Sequence, residues 1–153
     1  NENFKLILSG AKKENYNKVI SFISELNLQK KITIVGHVEL NKLISLYDNC
    51  NSVVYPSFSG PENLPPLEAL ARKKKIINSI YPGAQEQLKN FVVYFNPYSP
   101  NKIAEAMKKT YRMKYPKNYK KLNKFLKLKE SDLYIEKLIN YIIWNQVFNI
   151  KLW

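Results

Sequence analysis

The stretch Tyr55-Pro-Ser-Phe-Ser-Gly-Pro-Glu-Asn-Leu-Pro-Pro-Leu-Glu-Ala-Leu-Ala71 decides the fold. A β-branched, apolar run (Val53, Val54, Tyr55) stops at Pro56, a Ser/Gly/Pro loop follows, and a helix opens at Pro65-Pro66 and is expected to reach about Arg72. Prolines are tolerated in a first helical turn because the N–H groups there have no internal partner. Those same outward-pointing amides, at the positive end of the macrodipole, stabilise a phosphate without any cationic side chain. The two prolines remove donors, so the amides left for a ligand are those of Asn63, Leu64 and Leu67. Gly60 and Asn63 permit the tight backbone path. Glu68, one turn into the helix, is placed to reach a ligand's hydroxyls. The same spacing also describes an ordinary strand-to-helix loop with a solvent-facing glutamate.

Outward from this stretch the chain repeats one pattern. Phe4 to Ser9 is a short apolar run closed by Gly10; Tyr16, Val19, Ile20, Ile23 and Leu26 then recur at helical spacing, with Asn27 as a left-handed stop. Lys31 to Gly36 repeats strand-then-glycine, and Leu40, Leu43, Ile44 and Tyr47 give the next helix face. Downstream of Ala71 come a strand at Ile76 to Asn78, a short helix around Gln85 to Leu88, a strand at Val92 to Phe95, and a helix started by Ser99-Pro100 with Ile103, Met107 and Tyr111 on one face. Five mostly apolar strands separated by helices predict an α/β fold with a doubly wound parallel sheet. Ligands in that architecture bind beyond the carboxyl ends of the strands, where Gly10, Gly36 with His37, and the Pro56 to Asn63 loop all fall.

A chain of 153 residues, 45% apolar and 24% charged, is long enough for one globular domain and short for two. One cysteine, Cys50, excludes an internal disulfide and is read as a small packed residue. With no signal peptide and no apolar run of 18 residues, a cytoplasmic setting is expected. No loop carries G-x-G-x-x-G or G-x-x-x-x-G-K-[ST], so neither a dinucleotide nor a P-loop site is expected. The formal charge of +13 is concentrated: residues 101–130 hold 11 Lys/Arg against Glu105 and Glu130. Tyr111, Tyr115, Tyr119 and Phe125 are interleaved with them. A solvated face and a patch resting on anionic lipid both fit residues 102–129; nucleic acid is disfavoured because no RNP, zinc-finger or helix-turn-helix signature accompanies the charge. A last helix, capped by Ser131 and apolar through Ile135, Leu138, Ile139, Ile142 and Ile143, is predicted to be apolar over most of its circumference.

These residues carry a family likeness. Gly60, Pro61, Asn63, Pro65, Pro66, Glu68 and Ala69 resemble the G-P-x-N-x-P-P-x-E-A signature of the C-terminal, donor-binding domain of family-4 retaining glycosyltransferases of the GT-B fold, in the form found in bacterial surface-polysaccharide enzymes. Ile34-Val-Gly-His-Val38 with Leu43, Leu46 and Tyr47 is similar to the family's "G-x-V … L … L-Y" segment. Ser79, Pro82-Gly83, Glu86-Gln87 and Tyr94-Phe95-Asn96-Pro97 are similar to its "S … P-G … E-Q … Y-F-x-P". The likeness spans residues 4 to 148 in order.

The resemblance implies the donor half of a two-domain enzyme that moves a sugar from a UDP- or GDP-linked donor with retention and no required metal or cofactor. It implies that Glu68 binds ribose hydroxyls, that Asn63 and Leu64 approach the diphosphate and sugar with Gly60 and Pro61 beside them, and that Gly10, His37 and Val38 line the same cleft. It divides the chain into a partial Rossmann-like core at residues 1–113 and a basic linker with C-terminal helices at 114–153. Departures accompany it. The first carboxylate of the family's Glu-x7-Glu motif falls on Gly60, so no catalytic residue is assigned. The glycine that ends the helix falls on Lys73, and the proline before the next strand on Lys75. The strand and helix that precede this segment in the family, with their diphosphate-gripping Arg and Lys, are expected to be missing, as is the acceptor-binding N-terminal domain. The isolated chain is therefore expected to be inactive, in a protein at the inner face of the cytoplasmic membrane. Two alternatives stand beside it: a non-catalytic, degenerate module that binds anionic membrane or nucleic acid, and a related nucleotide-sugar epimerase.

Overall fold

Five strands and five helices alternate along the chain in the computed structural model, which describes residues 4–58 and 63–114 together with Lys121, Lys124 and Lys127. Gly60, Pro61 and Glu62, and the final helix expected after Ser131, lie outside the described residues. The chain divides into two compact units at Asn49/Cys50.

In the first unit, β1 (Leu6–Ser9) and β2 (Ile32–Gly36) pair in parallel, with Leu6 opposite Ile32 and Leu8 opposite Ile34. A register shift after Leu8 brings Ser9 opposite Gly36. Helix α1 (Tyr16–Glu25) crosses between them and α2 (Leu40–Asn49) follows β2. The α1 helix stops in a Schellman motif: Asn27 is left-handed (φ 54), its N–H reaches Ser24 O at 2.9 Å, and Leu28 N–H reaches Ile23 O at 2.9 Å. The expected helix face exists but is largely open. Phe22 and Leu26 are more than 60% exposed, no residue of α1 is buried, and on α2 only Tyr47 is. Amphipathic spacing fixes which side of a helix is apolar, not whether anything covers it.

The second unit is a three-stranded parallel sheet in the order β3 (Ser52–Tyr55), β4 (Lys75–Ser79), β5 (Val93–Phe95). Its helices are α3 (Leu64–Ala71), α4 (Pro82–Leu88) and α5 (Pro100–Arg112). Central β4 runs KIINS, and Ile76 to Ser79 are all buried. Successive side chains point to opposite faces. Ile77 joins Phe95 and Ala106 in one core with Val54, Val93, Ile103 and Met107, the face covered by α5. Ile76 and Asn78 point the other way, where α3 packs on β3 and β4. On α5 the buried stripe runs through Ala106 and Thr110, whereas Tyr111, expected on that face, is 47% exposed. Tyr111 is eight positions beyond Ile103 and has rotated off the stripe.

Within each unit the strands pair in parallel, as expected of an α/β, Rossmann-like chain. They form two ladders: among the described residues none joins β1 or β2 to β3, β4 or β5.

Two departures from the family pattern acquire physical roles here. Lys73 adopts the left-handed conformation (φ 57) that glycine usually supplies, in a second Schellman motif: its N–H reaches Leu70 O and that of Lys74 reaches Ala69 O, both at 2.8 Å. Lys75 sends its ammonium to the carboxyl end of α5, donating to Thr110 O at 2.9 Å and Met113 O at 3.2 Å. A cation there satisfies carbonyls that the helix leaves open and complements its negative end. The Cys50 side chain is half-buried, and its carbonyl accepts from Lys74 Nζ at 3.3 Å.

Candidate functional site

The carboxyl edge of the three-stranded sheet carries the first group of expected residues. After β3 the chain returns at Asn63, which is left-handed (φ 45, ψ 36) and 2% exposed, and enters α3 at once. Asparagine is among the few residues that visit this conformation readily. Pro65 and Pro66 occupy the first turn, so the donors near the start of α3 are the amides of Asn63, Leu64 and Leu67. The Leu67 amide, expected to serve a ligand, is instead spent inside the helix, donating to Asn63 O at 3.3 Å. That leaves Asn63 and Leu64. Glu68 is exposed in the second turn. Gly60 and Pro61, expected beside them, lie outside the described residues.

The remaining expected residues belong to the first unit. Gly36 O accepts from Gly10 N–H at 2.9 Å and from Ser9 Oγ at 3.2 Å, so the two loops leaving β1 and β2 are tied edge to edge. Gly10 and Gly36 both have positive φ, 147° and 68°. His37 is exposed and Val38 half-buried on the segment that follows. The structure thus groups Gly10, His37 and Val38 within one unit and Asn63, Leu64 and Glu68 within the other.

Sequence reasoning missed a polar row under the start of α3. Tyr55, Asn78 and Tyr94 are register partners across β3, β4 and β5, on the face opposite the α5 core. Asn78 is fully buried. Its Nδ2 donates to Ser79 O at 2.9 Å, while its Oδ1 has no partner among the described residues. Tyr94 Oη donates to Ala84 O at 3.0 Å. Tyr81, on the segment between β4 and α4, donates its hydroxyl to Asn63 Oδ1. Burial raises the pKa of the Tyr81 phenol above the usual value of about 10; the hydrogen bond with Asn63 offsets part of this and Tyr55 adds a smaller rise. Tyr94 is raised likewise, by burial first and by Tyr81 second. Both hydroxyls are therefore neutral donors at neutral pH. The signal available in the sequence was the Asn78-Ser79 pair inside the otherwise apolar run Ile76 to Ile80, because a polar pair in a central strand needs partners.

Loops after β3 and β5 also meet at this edge: the exposed rings of Phe58 and Tyr98 lie 5.1 Å apart, tilted by 53°. A cleft of about 460 Å³ lies between β5 and α5, lined in part by Val93, Tyr94, Phe95, Lys102 and Lys109; it holds none of the residues expected to bind the nucleotide-sugar. Among the described residues no group of acidic, His and Cys side chains is arranged to hold a metal ion. No helix among them is long and apolar enough to cross a membrane.

The carboxyl edge of the three-stranded sheet thus brings together the start of α3, the exposed Glu68 and the row of neutral tyrosine hydroxyls around Asn78. Among solved structures the chain is similar to sucrose-phosphate synthase from Thermosynechococcus elongatus, with 21% identity and a TM-score of 0.67 over 89% of this chain. The match covers 39% of that enzyme, and at this identity the likeness speaks for the fold. No curated protein matches. A family model described as glycosyl transferases group 1 matches residues 1–129, which takes in both ladders, the α3 start and the polar row. With that match over most of its length, the chain belongs to the group 1 glycosyl transferases.

Proposed function

We propose that the chain is the donor-binding part of a retaining glycosyltransferase of the family-4 type, which transfers a hexose from a UDP- or GDP-linked donor to a glycan or lipid-linked acceptor in surface-polysaccharide synthesis. The observation that carries this reading is the left-handed Asn63 at the start of α3. It presents two amides beyond the carboxyl ends of the strands, with Glu68 exposed one turn on.

In the proposed reaction the bond from the anomeric carbon to the diphosphate breaks and the acceptor oxygen bonds to that carbon on the same face. A donor phosphate oxygen takes the acceptor proton. The negative charge that gathers on the departing diphosphate is met by the Asn63 and Leu64 amides at the positive end of α3. Glu68 accepts from the ribose hydroxyls and orients the nucleotide. Neither role calls for a metal. Transfer requires an acceptor-binding part that the family resemblance places outside these residues, so the chain by itself binds donor without turning it over. Exposed Lys108, Lys109, Arg112 and Lys114 at the end of α5 support a docking face for anionic lipid, at the inner leaflet where a lipid-linked acceptor would sit. Sedimentation with vesicles containing phosphatidylglycerol tests that face, and binding indifferent to lipid charge would remove it.

The nucleotide site is tested by titrating UDP and GDP while following the amide resonances of Asn63 to Glu68. Shifts with one of them, weakened by Glu68→Ala, are expected. Silence with both nucleotides would overturn the reading in favour of a non-catalytic basic module.

A further inference from the structure

The hydrogen bond from Tyr81 to Asn63 spans 18 positions and ties together two segments that the sequence treats as unrelated. One is the entry to α3. The other is the two-residue step, Ile80 and Tyr81, that carries the chain from β4 into α4. Tyr81 is extended (φ −157, ψ 158) and its ring lies over Gly83, 3.7 Å from where a Cβ there would stand. Its hydroxyl ends on Asn63 Oδ1.

Asn63 governs the direction of both amides assigned to the donor phosphates. Its own N–H lies on one side of its φ/ψ pair and the Leu64 N–H on the other. A left-handed residue followed by a helical one turns successive N–H groups toward the same side, which makes a concave anion cradle. If Asn63 relaxed to the β region, the commonest backbone for a residue that precedes a helix, the two N–H groups would diverge. The side chain of Asn63 makes no capping hydrogen bond to its own helix, so nothing within α3 selects the left-handed form. The side-chain oxygen of Asn63 is held instead by Tyr81.

We infer that Tyr81 is a positioning residue for donor binding: its hydroxyl holds Asn63 left-handed, so that the Asn63 and Leu64 amides converge on one phosphate. The inference rests on the reading of the α3 start as the diphosphate end of a nucleotide-sugar site. It adds that the β4–α4 segment, far from Asn63 in sequence, sets the quality of that site. Tyr81 touches no reacting atom in this account and acts only through Asn63.

The test is a double-mutant cycle on the whole chain, read by nucleotide affinity and by the Asn63 backbone coupling constant, which reports φ. Tyr81→Phe removes one oxygen and keeps the ring. It should weaken binding of UDP or GDP about tenfold, equivalent to roughly 1.4 kcal/mol, and move the Asn63 coupling constant away from its left-handed value. In an Asn63→Gly background, which has no acceptor and adopts positive φ without a Cβ penalty, Tyr81→Phe should change neither readout. In an Asn63→Asp background, where the acceptor oxygen is kept, sensitivity to Tyr81→Phe should return. A Tyr81→Phe protein with wild-type affinity and an unchanged coupling constant would overturn the inference and leave the nucleotide site standing. A wild-type chain that binds neither nucleotide would overturn the site, while the coupling constant would still decide whether Tyr81 holds Asn63. Loss of folding in all three backgrounds would place Tyr81 in the general core and overturn the positioning role.

Discussion

Replacing Lys73 with glycine should leave the protein more stable than replacing it with alanine. Lys73 sits one residue past the α3 C-cap at φ 57, and its two Schellman hydrogen bonds, both 2.8 Å, form only if the residue at this place is left-handed. An L-residue with a Cβ in that region is disfavoured by roughly 1–2 kcal/mol. Glycine avoids this, but its unfolded chain has more freedom to lose, which returns about 0.4–1 kcal/mol. The balance is about 0.5–1 kcal/mol in favour of glycine over alanine. Alanine is the right reference because it removes whatever the lysine side chain contacts while keeping the Cβ. For a chain of this size that difference corresponds to a melting temperature about 1–4 °C higher for Lys73→Gly than for Lys73→Ala. Urea unfolding should show the same order, with the midpoint shifted and the slope unchanged. A glycine variant no more stable than the alanine variant would refute the reasoning, because it would mean that the left-handed turn is not kept in solution.

Two further outcomes follow from the second unit. Lys75→Met keeps the aliphatic stem but removes the ammonium that closes the α5 terminus, and should destabilise the chain by about 1–2 kcal/mol in thermal unfolding; an unchanged melting temperature would show that water serves those carbonyls equally well. Stability should also fall in alkali, because Tyr81 and Tyr94 have pKa values raised by burial. As pH climbs past about 10 the unfolded tyrosines release protons that the folded ones still hold, so the unfolded state gains. The contribution is fully present below that pH and is lost as pH rises through the folded values; a Tyr94→Phe variant whose stability falls as steeply from pH 9 to 11 would exclude burial of this phenol as a cause.

What the sequence made legible was local. Glycine after a strand, Asn27 after a helix and Ser99-Pro100 before one are consequences of backbone sterics acting within a few residues, and each stands where expected. Ser99 Oγ accepts from Lys102 N–H at 3.4 Å, as an N-cap does. Even the Lys73 departure was readable as a position, since the turn needs positive φ whatever residue fills it. The less legible features depend on residues distant in sequence. Lys75 reads as a lost proline until the end of α5 is seen to arrive beside it. Tyr81 reads as part of a Tyr-Pro-Gly helix start until its hydroxyl is found on Asn63. The Leu67 amide looked available because the helix was expected to begin one residue later; starting at Leu64, the helix captures it for Asn63 O.

The division into two ladders belongs to both classes. Among the described residues β1 pairs with β2, and β3, β4 and β5 pair in sequence, so every pair joins strands that are consecutive in the chain. Strand pairing is a nearest-neighbour property, so each ladder forms from its own residues. Covering the faces is not: Ile7 on β1 and Ile20 and Phe22 on α1 stay between 43% and 62% exposed, whereas Ile76 and Ile77 on β4, flanked on both sides, are buried. The second unit holds the α3 start and the polar row within a closed core. For that reason Asn63, Tyr81 and Glu68 are the places where the donor-site reading can be tested on this chain without further polypeptide.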